Sequence, residues 1–519
     1  MLLFLKIADN GLETLDADGI IYIWEEKNEG NVAGDHQVPE VLKSPLLSLK
    51  KVDNAFTSNV TVLPIDLPAG RMIFSPVAKL TDYDDVRSFY EAAGKGIKRA
   101  LQAGVKRPLL VLPNCERFKN TELVTLLGAL EALYVPIHLR EAMPEKKTKL
   151  KELYVWSNNN VSVQKVVELA TILESGRIVA RDIGGGDPER MAAPRIEEYI
   201  RHVFEVELSG IEVDVISDPA VFEAEYPLFC AVDRAASVIE RHRGRIIYLK
   251  YEPEGEVQQT LALVGKGITY DTGGANVKIN GAMSGMSRDK CGAAAVAGFM
   301  KVVSMVKPKN VRIIGALCVA RNSIGENAYV ADEVITARSK ARVRIENTDA
   351  EGRMVMADVL CKLKEDLQNH PNVHLMTIAT LTGHAVLAVG PYSIVMDNSV
   401  ARERGNGPRV QSAGAAVADP FEISILRRED VAFHKGKGEG DDVHQSANAP
   451  SVRTCRGHQG PAGFLMLASG LDKHELSSAQ PLGYSHLDIA GSAGEPPQEA
   501  TASPVLALSA AYLPELNLM

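Results

Sequence analysis

Apolar residues fall into short strand-length runs separated by stretches of helical spacing. In the first third, Gly19–Trp24, Val60–Ile65 and Leu109–Leu112 are rich in β-branched, aromatic and aliphatic residues and predict strands. Between them, Asp84–Ala103 and Thr121–Leu133 repeat apolar residues at helical spacing. A further helix is predicted over Val161–Ala180, with Val166, Leu169, Ala170 and Leu173 as its apolar positions. It leads to a glycine-rich stretch, Gly184–Pro188, that reads as a flexible joint. Beyond it, Arg245–Tyr251, Thr260–Val264, Val311–Val319, Ala341–Ile345 and Val373–Ala379 predict strands. Several are continuously apolar, as in a central sheet covered on both faces. Helices Cys291–Val306 and Met354–Leu367 come between, the second with Val355, Val359, Leu360, Leu363 and Leu367 on one stripe. The expectation is an α/β chain of two domains. A smaller α/β domain covers 1–175, and a larger one covers 176–519, with a central mixed sheet flanked by helices.

Composition narrows the class. With 519 residues, the chain exceeds a single domain at about 150 residues per domain. Hydrophobic residues at 45% and charged residues at 24% exclude a mainly disordered chain. A formal charge of -9, with no lysine–arginine tract, argues against nucleic acid as a partner. The six cysteines form no CxxC pair, so free, reduced thiols are expected. No apolar run approaches the ~20 residues that span a bilayer, and Asp9 interrupts the apolar start before a signal-like core forms. A cytoplasmic protein with no membrane partner is the expectation.

Two segments concentrate chemistry. Asn347-Thr348-Asp349-Ala350-Glu351-Gly352-Arg353 follows a predicted strand and precedes a predicted helix, where open α/β sheets place ligands. In an extended strand end, Asp349 and Glu351 would face the same side, and Gly352 would permit a tight turn. Taken alone, this segment equally suits a helix start with a salt bridge. The second segment, Gly265–Gly274, leaves another strand and carries Lys266 and Asp271. Lys278 and Asp289 follow, just before the small-residue helix start Gly292–Ala295. Four carboxylates (Asp271, Asp289, Asp349, Glu351) at sheet ends need counter-charge, because like charges repel strongly when desolvated. A pair of divalent metal ions is the usual solution.

With these motifs the sequence resembles the M17 leucyl aminopeptidases (cytosol aminopeptidases). The likeness rests on NTDAEGR at Asn347–Arg353, Lys266–Gly274 with Lys278, and Met286–Asp289. It extends to Ala379–Gly383 and His486–Gly491, and weakens in the first third. The resemblance implies a metal-dependent aminopeptidase that removes N-terminal leucine and other apolar residues from short peptides. Lys266, Asp271, Asp289 and Glu351 would hold an exchangeable metal ion. Asp271, Asp349 and Glu351 would hold a tighter one, the metals being zinc, manganese or cobalt. The shared water would become a hydroxide nucleophile. As a ligand, Lys266 would have to be neutral, whereas Lys278 would stay charged and donate to the scissile carbonyl. Arg353 would hold a bicarbonate ion as general base. Met286, Thr380, Leu381 and Gly383 would line the pocket for the substrate's first side chain. A homohexamer is implied, with the N-terminal domain in a regulatory or oligomer-supporting role.

Blander readings apply to other residues. Cys291 reads as a buried structural thiol, and His486 beside Asp488 as a structural hydrogen-bonding residue. Asp441, Asp442 and His444 read as a surface loop, and His384 as lining or supporting the site. Stretches 184–188, 418–421 and 461–463 depart from the family pattern and leave the side-chain preference open. Two alternatives compete: a DNA-binding regulatory member of the same family, and a different two-metal hydrolase such as a phosphoesterase. The acidic balance weighs against the first, and the lack of histidines near Asp271 and Asp349 against the second.

Overall fold

The computed structural model describes residues 4–26, 32, 35, 38–157, 163–206 and 210–519. Val161 and Ser162, the start of one expected helix, lie outside the described residues. The chain divides into two compact units. One comprises Met1–Ser175, Ala415–Ala418 and Leu518, the other Gly176–Gly414, Asp419–Asn517 and Met519. Both are α/β.

The first unit is built on β1 (Leu5–Ile7), β2 (Gly19–Glu25), β3 (Thr61–Pro64), β4 (Arg71–Val77), β5 (Pro108–Val111) and β6 (Leu153–Trp156). They form one sheet in the order β1-β6-β5-β2-β4-β3, parallel except where β3 meets β4. Helices Arg87–Gln102 and Thr121–Leu133 pack together, close enough that a Cβ at Gly128 would lie 2.2 Å from the Tyr90 carbonyl. An aromatic cluster fills part of the core, where Phe56 stands 6.1 Å from both Trp24 and Phe74 by ring centroids.

The second unit contains β7 (Glu212–Ile216), β8 (Arg245–Tyr251), β9 (Gln259–Asp271), β10 (Val311–Asn322), β11 (Val334–Thr336), β12 (Arg342–Arg344), β13 (Val373–Ala379), β14 (Ser393–Asp397), β15 (Phe421–Ile423), β16 (Val443–His444) and β17 (Gly483–Asp488). The main sheet runs β15-β14-β17-β13-β9-β10-β8-β7 and is mixed. Its centre, β17-β13-β9-β10, is parallel, so four strands deliver their carboxyl ends to one edge. These strands are nearly fully buried, in line with their unbroken apolar runs.

Two expectations change. Ala341–Ile345 does not join the central sheet; its core, β12, sits between β11 and β16 in a small separate sheet. The reason is its alternation. Arg342 and Arg344 turn outward to Asp442 (3.1 Å) and Asp441 (2.5 Å), leaving only one apolar face. Gly184 and Gly185 belong to the helix Val163–Gly185 and are not a flexible joint. A Cβ at Gly184 would lie 2.9 Å from Cys291 Sγ, so this glycine serves close packing. Among the described residues, no helix is long and apolar enough to cross a membrane.

Candidate active site

β9 carries Lys266 inside the sheet and ends on Asp271. β10 ends on Asn322, β13 leads to Thr380, and the helix Glu351–Leu367 opens with Glu351. A short 3₁₀ turn, Met286–Lys290, supplies Asp289. One ligand atom each from Asp271, Asp289 and Glu351 lie within 4.8 Å of one another, and all three residues are buried. Asp349 is not part of this triplet and reaches it through Lys278.

The two lysines divide the carboxylates between them. Lys266 Nζ lies 2.8 Å from Asp289 Oδ1 and 2.9 Å from Glu351 Oε1. Lys278 Nζ lies 2.9 Å from Asp271 Oδ2 and 2.6 Å from Asp349 Oδ1. Lys266 also donates to the Thr380 carbonyl at 3.2 Å, and Thr380 Oγ1 donates to Asp289 at 2.9 Å. Gly352 makes this possible. A Cβ there would lie 2.3 Å from Lys266 Cε, so the glycine is a passage for the lysine within a helix and not the expected tight turn. Asp349 and Glu351 are likewise not on an extended strand. The helix begins at Glu351, which is buried, while Asp349 stays more exposed in the preceding turn.

Two ammonium groups face four carboxylates, and the imbalance shows in their proton affinities. Burial, reinforced by Asp271 and Glu351, pushes Asp349 up to about 7. Burial also drives Asp289 well above the usual carboxylate range. For Lys266, burial works against the charge, but Asp289, Glu351 and Asp271 outweigh it and raise its pKa. The depressed Lys266 expected of a ligand is therefore not produced by its neighbours, since the groups that outweigh burial are carboxylates. Lys278 is raised in the same way, with burial opposing Asp271 and Asp349. Asp289 Oδ2 is buried without a hydrogen-bond partner among the described residues. Excess acid, an orphaned carboxylate oxygen and an all-oxygen-and-amine donor set fit divalent cations.

These groups border a cavity of about 790 Å³. Its walls include Lys266, Asp271, Lys278, Asp289, Asp349, Glu351 and Arg353, and also Met286, Thr380, Leu381 and Gly383. Val386, Phe433 and Val452 add apolar surface. Arg353 is 8% exposed, and burial lowers its pKa to about 10, so it remains charged at neutral pH.

Several supporting residues were not singled out from the sequence. Asn322 Nδ2 donates to Asp271 (2.8 Å) and to the Thr348 carbonyl (3.0 Å), and lies 3.4 Å from Glu351. The Gln445 side chain binds the main chain at Glu346, Asn347 and Ala350. The Tyr329 hydroxyl donates to the Thr348 carbonyl at 2.9 Å. A polar residue closing the apolar run of β10 was the available signal for Asn322. Gln445 had none, because its partners lie about a hundred residues away in the chain.

The remaining readings sort as follows. Cys291 is buried against Gly184, and its thiol is pushed up by burial. His486 bonds Thr377 at 2.7 Å, while Asp488 accepts from Thr382 at 2.7 Å. His384 bonds His458 at 2.8 Å and supports the wall without lining it. Asp441 and His444 are not in a surface loop. Both are only 6% exposed, because β16 pairs with β12 and draws them inward, while Asp442 stays exposed.

The mixed sheet gathers carboxylates and lysines at one edge, a donor set that fits divalent cations. The description "cytosol aminopeptidase family, catalytic domain" matches residues 178–509. A Caenorhabditis elegans protein named as an aminopeptidase is 44% identical over 95% of this chain and 94% of its own length. A Helicobacter hepaticus protein named as a cytosol aminopeptidase is 30% identical over 58% of this chain and 61% of its own. Among solved structures, the bottromycin maturation enzyme BotP in complex with Mn shares the fold, with a TM-score of 0.76 and 21% identity over 95% of this chain and 98% of that one. The chain therefore belongs to the cytosol aminopeptidase family, whose members are metal-dependent aminopeptidases acting on peptides. None of the three names mentions nucleic acid, and the DNA-binding alternative gains no support.

Proposed function

We propose that the chain is a dinuclear metallo-aminopeptidase that removes leucine and other apolar N-terminal residues from short peptides. The observation that carries this reading is the buried Asp271–Asp289–Glu351 triplet, faced by Lys266 and opening into the cavity. Lys266, Asp271, Asp289 and Glu351 would hold one ion, and Asp271, Asp349 and Glu351 the other. When bound, the ions supply Lewis acidity and an activated water at neutral pH.

The chain's own groups do the rest. Lys278, kept charged by Asp271 and Asp349, donates a hydrogen bond to the scissile carbonyl oxygen as negative charge develops there. Arg353 fits an oxyanion: it lines the cavity, is charged, and its Nε bonds to no described residue. It would hold a bicarbonate ion, which when bound offers a base near the reacting centre. Met286, Thr380, Leu381 and Gly383 line the space for the first side chain, and Val386 and Val452 extend the apolar wall. A substrate α-amine ligating one metal would explain exopeptidase action. The homohexamer and the N-terminal unit's supporting role belong to this proposal, as does a cytoplasmic location.

The test is leucine release from leucyl peptides after chelation and after reloading with zinc, manganese or cobalt. Chelation should abolish release and reloading should restore it, while an N-acetylated peptide should stay intact throughout. Undiminished release from a chelated, metal-free chain refutes the reading.

A further inference from the structure

The loop that leaves β9 carries Lys278 past the Asn347–Arg353 segment, and two rungs join the two stretches of chain. One rung is the ion pair of Lys278 Nζ with Asp349 Oδ1 at 2.6 Å. The other lies two residues earlier on the loop and is a reciprocal pair between Asn276 and Thr348. The Asn276 main-chain N–H donates to Thr348 Oγ1 at 2.7 Å. In return, the Thr348 main-chain N–H donates to Asn276 Oδ1 at 2.8 Å. The Thr348 hydroxyl has a single hydrogen, and its nearest acceptor is the Gly273 carbonyl at 2.7 Å. Thr348 is fully buried, whereas Asn276 stands on the exposed part of the loop.

The loop is shaped for this contact. Gly273 and Gly274 have φ of 87° and 64°, a backbone conformation that glycine adopts without steric cost. A Cβ at Gly273 would lie 2.4 Å from the Asn276 carbonyl oxygen, and one at Gly274 would lie 3.0 Å from Thr348 Oγ1. The Lys278 main-chain N–H then returns to the Thr272 carbonyl at 2.9 Å. The main chain of Lys278 is thus held from both sides, by the end of β9 and by Thr348.

The two rungs differ in chemistry. Lys278 pairs with carboxylate oxygens of Asp271 and Asp349, residues that the proposed cations would also engage. The Asn276–Thr348 rung joins neutral groups and uses no carboxylate. It keeps its partners when the acids turn to a cation. The place of the ammonium then depends on how its main chain is fastened.

We propose that Asn276 is a positioning residue for Lys278: its pairing with Thr348 holds the loop against Asp349 and so aims the Lys278 ammonium at the scissile carbonyl. This rests on the role given to Lys278 above. Loss of a neutral hydrogen bond is worth about tenfold, and a misplacement of about 1 Å near a reacting centre up to about a hundredfold.

The experiment labels the full-length, zinc-loaded chain with acetic anhydride, reads each lysine by mass spectrometry, and measures leucine release in parallel. In Asn276→Ala, Lys278 should label at least about threefold faster, with the other lysines and the zinc content unchanged. The kcat should fall about tenfold and KM stay within about twofold. Asn276→Asp keeps the accepting oxygen and should bring labelling and kcat to within about threefold of the unmutated chain. In a Lys278→Met background, Asn276→Ala should cost less than about twofold further, because the two residues act as a unit. Unchanged labelling of Lys278 in the Ala variant overturns the proposal, as does an Asp variant no better than Ala. Equal losses from Asn276→Ala with and without Lys278 mark a role in general loop stability and overturn it too. A chain that shows the labelling change and its rescue yet releases no leucine refutes the functional reading and leaves the placement of Lys278 by Asn276 standing.

Discussion

The two units solve one packing problem with opposite treatments of charge. Each covers a largely parallel-centred sheet with helices. In the N-terminal unit, a buried acid near the strand ends, Glu122, is met by the neutral Ser157 hydroxyl at 2.6 Å, and burial pushes its pKa up. The lysine at its sheet edge, Lys6, has a side chain 48% exposed. In the catalytic unit, Lys266 has a side chain only 4% exposed, facing carboxylates that are buried with it. Similar sheets can thus carry either an acid met by a neutral hydroxyl or a cluster of acids met by lysines. What differs is the identity of a few residues where the strands end.

The sharpest way to break this contrast is to neutralise one acid in each unit. Asp271→Asn should lower leucine release by about 10³-fold or more, since it removes a shared cation ligand and a partner of Lys278. Glu122→Gln should leave release within about twofold, because Glu122 lies in the other unit and the amide oxygen still accepts from the Ser157 hydroxyl. A comparable loss in both would end the distinction. Gly352→Ala should cost about 1–3 kcal/mol in urea unfolding, since its methyl group meets the Lys266 stem. It should also impair metal retention, measured by dialysis and metal analysis.

Acid should separate the units as well. In the catalytic unit, His374 is buried beside Ser485, and burial followed by Arg409 and Arg404 pushes its pKa down to about 3. The unfolded chain takes up this proton near pH 6.5, the folded chain only near 3. Its stabilising contribution is therefore full above 6.5, declines as pH falls below that, and is gone at the folded value. At pH 5.5 the loss is about 1.4 kcal/mol, and His374→Gln should remove that dependence from the unfolding midpoint. The described histidine of the N-terminal unit, His138, is exposed. Hydrogen exchange should accordingly show protection falling first in the catalytic unit on mild acidification.

What the sequence made legible follows from range. Lys266, Asp271 and Lys278 lie within one strand and its following loop, and Asn347–Arg353 is a single turn into a helix, so local pattern placed them. The strand β12 was visible, but its membership of a small sheet depended on Asp441 and Asp442, a hundred residues on. Gly352 carried the signature of a turn, and only the path of Lys266 reveals it as a gap. Asn322 and Gln445 hold the site together through partners distant in sequence, which periodicity cannot report.

The strand order of the main sheet has a further consequence for biogenesis. β9 and β13 are neighbours, and β13 in turn pairs with β17, so Leu381 and Thr382 wait for Asp488 across more than a hundred residues. Contacts of such separation are formed late and slowly. A ribosome-bound chain that has exposed NTDAEGR still lacks the strand that closes this edge of the sheet. Its lysines and carboxylates would meet in solvent, without the burial that gives them their affinities. This edge of the site therefore stays open until β17 has emerged, more than a hundred residues after NTDAEGR.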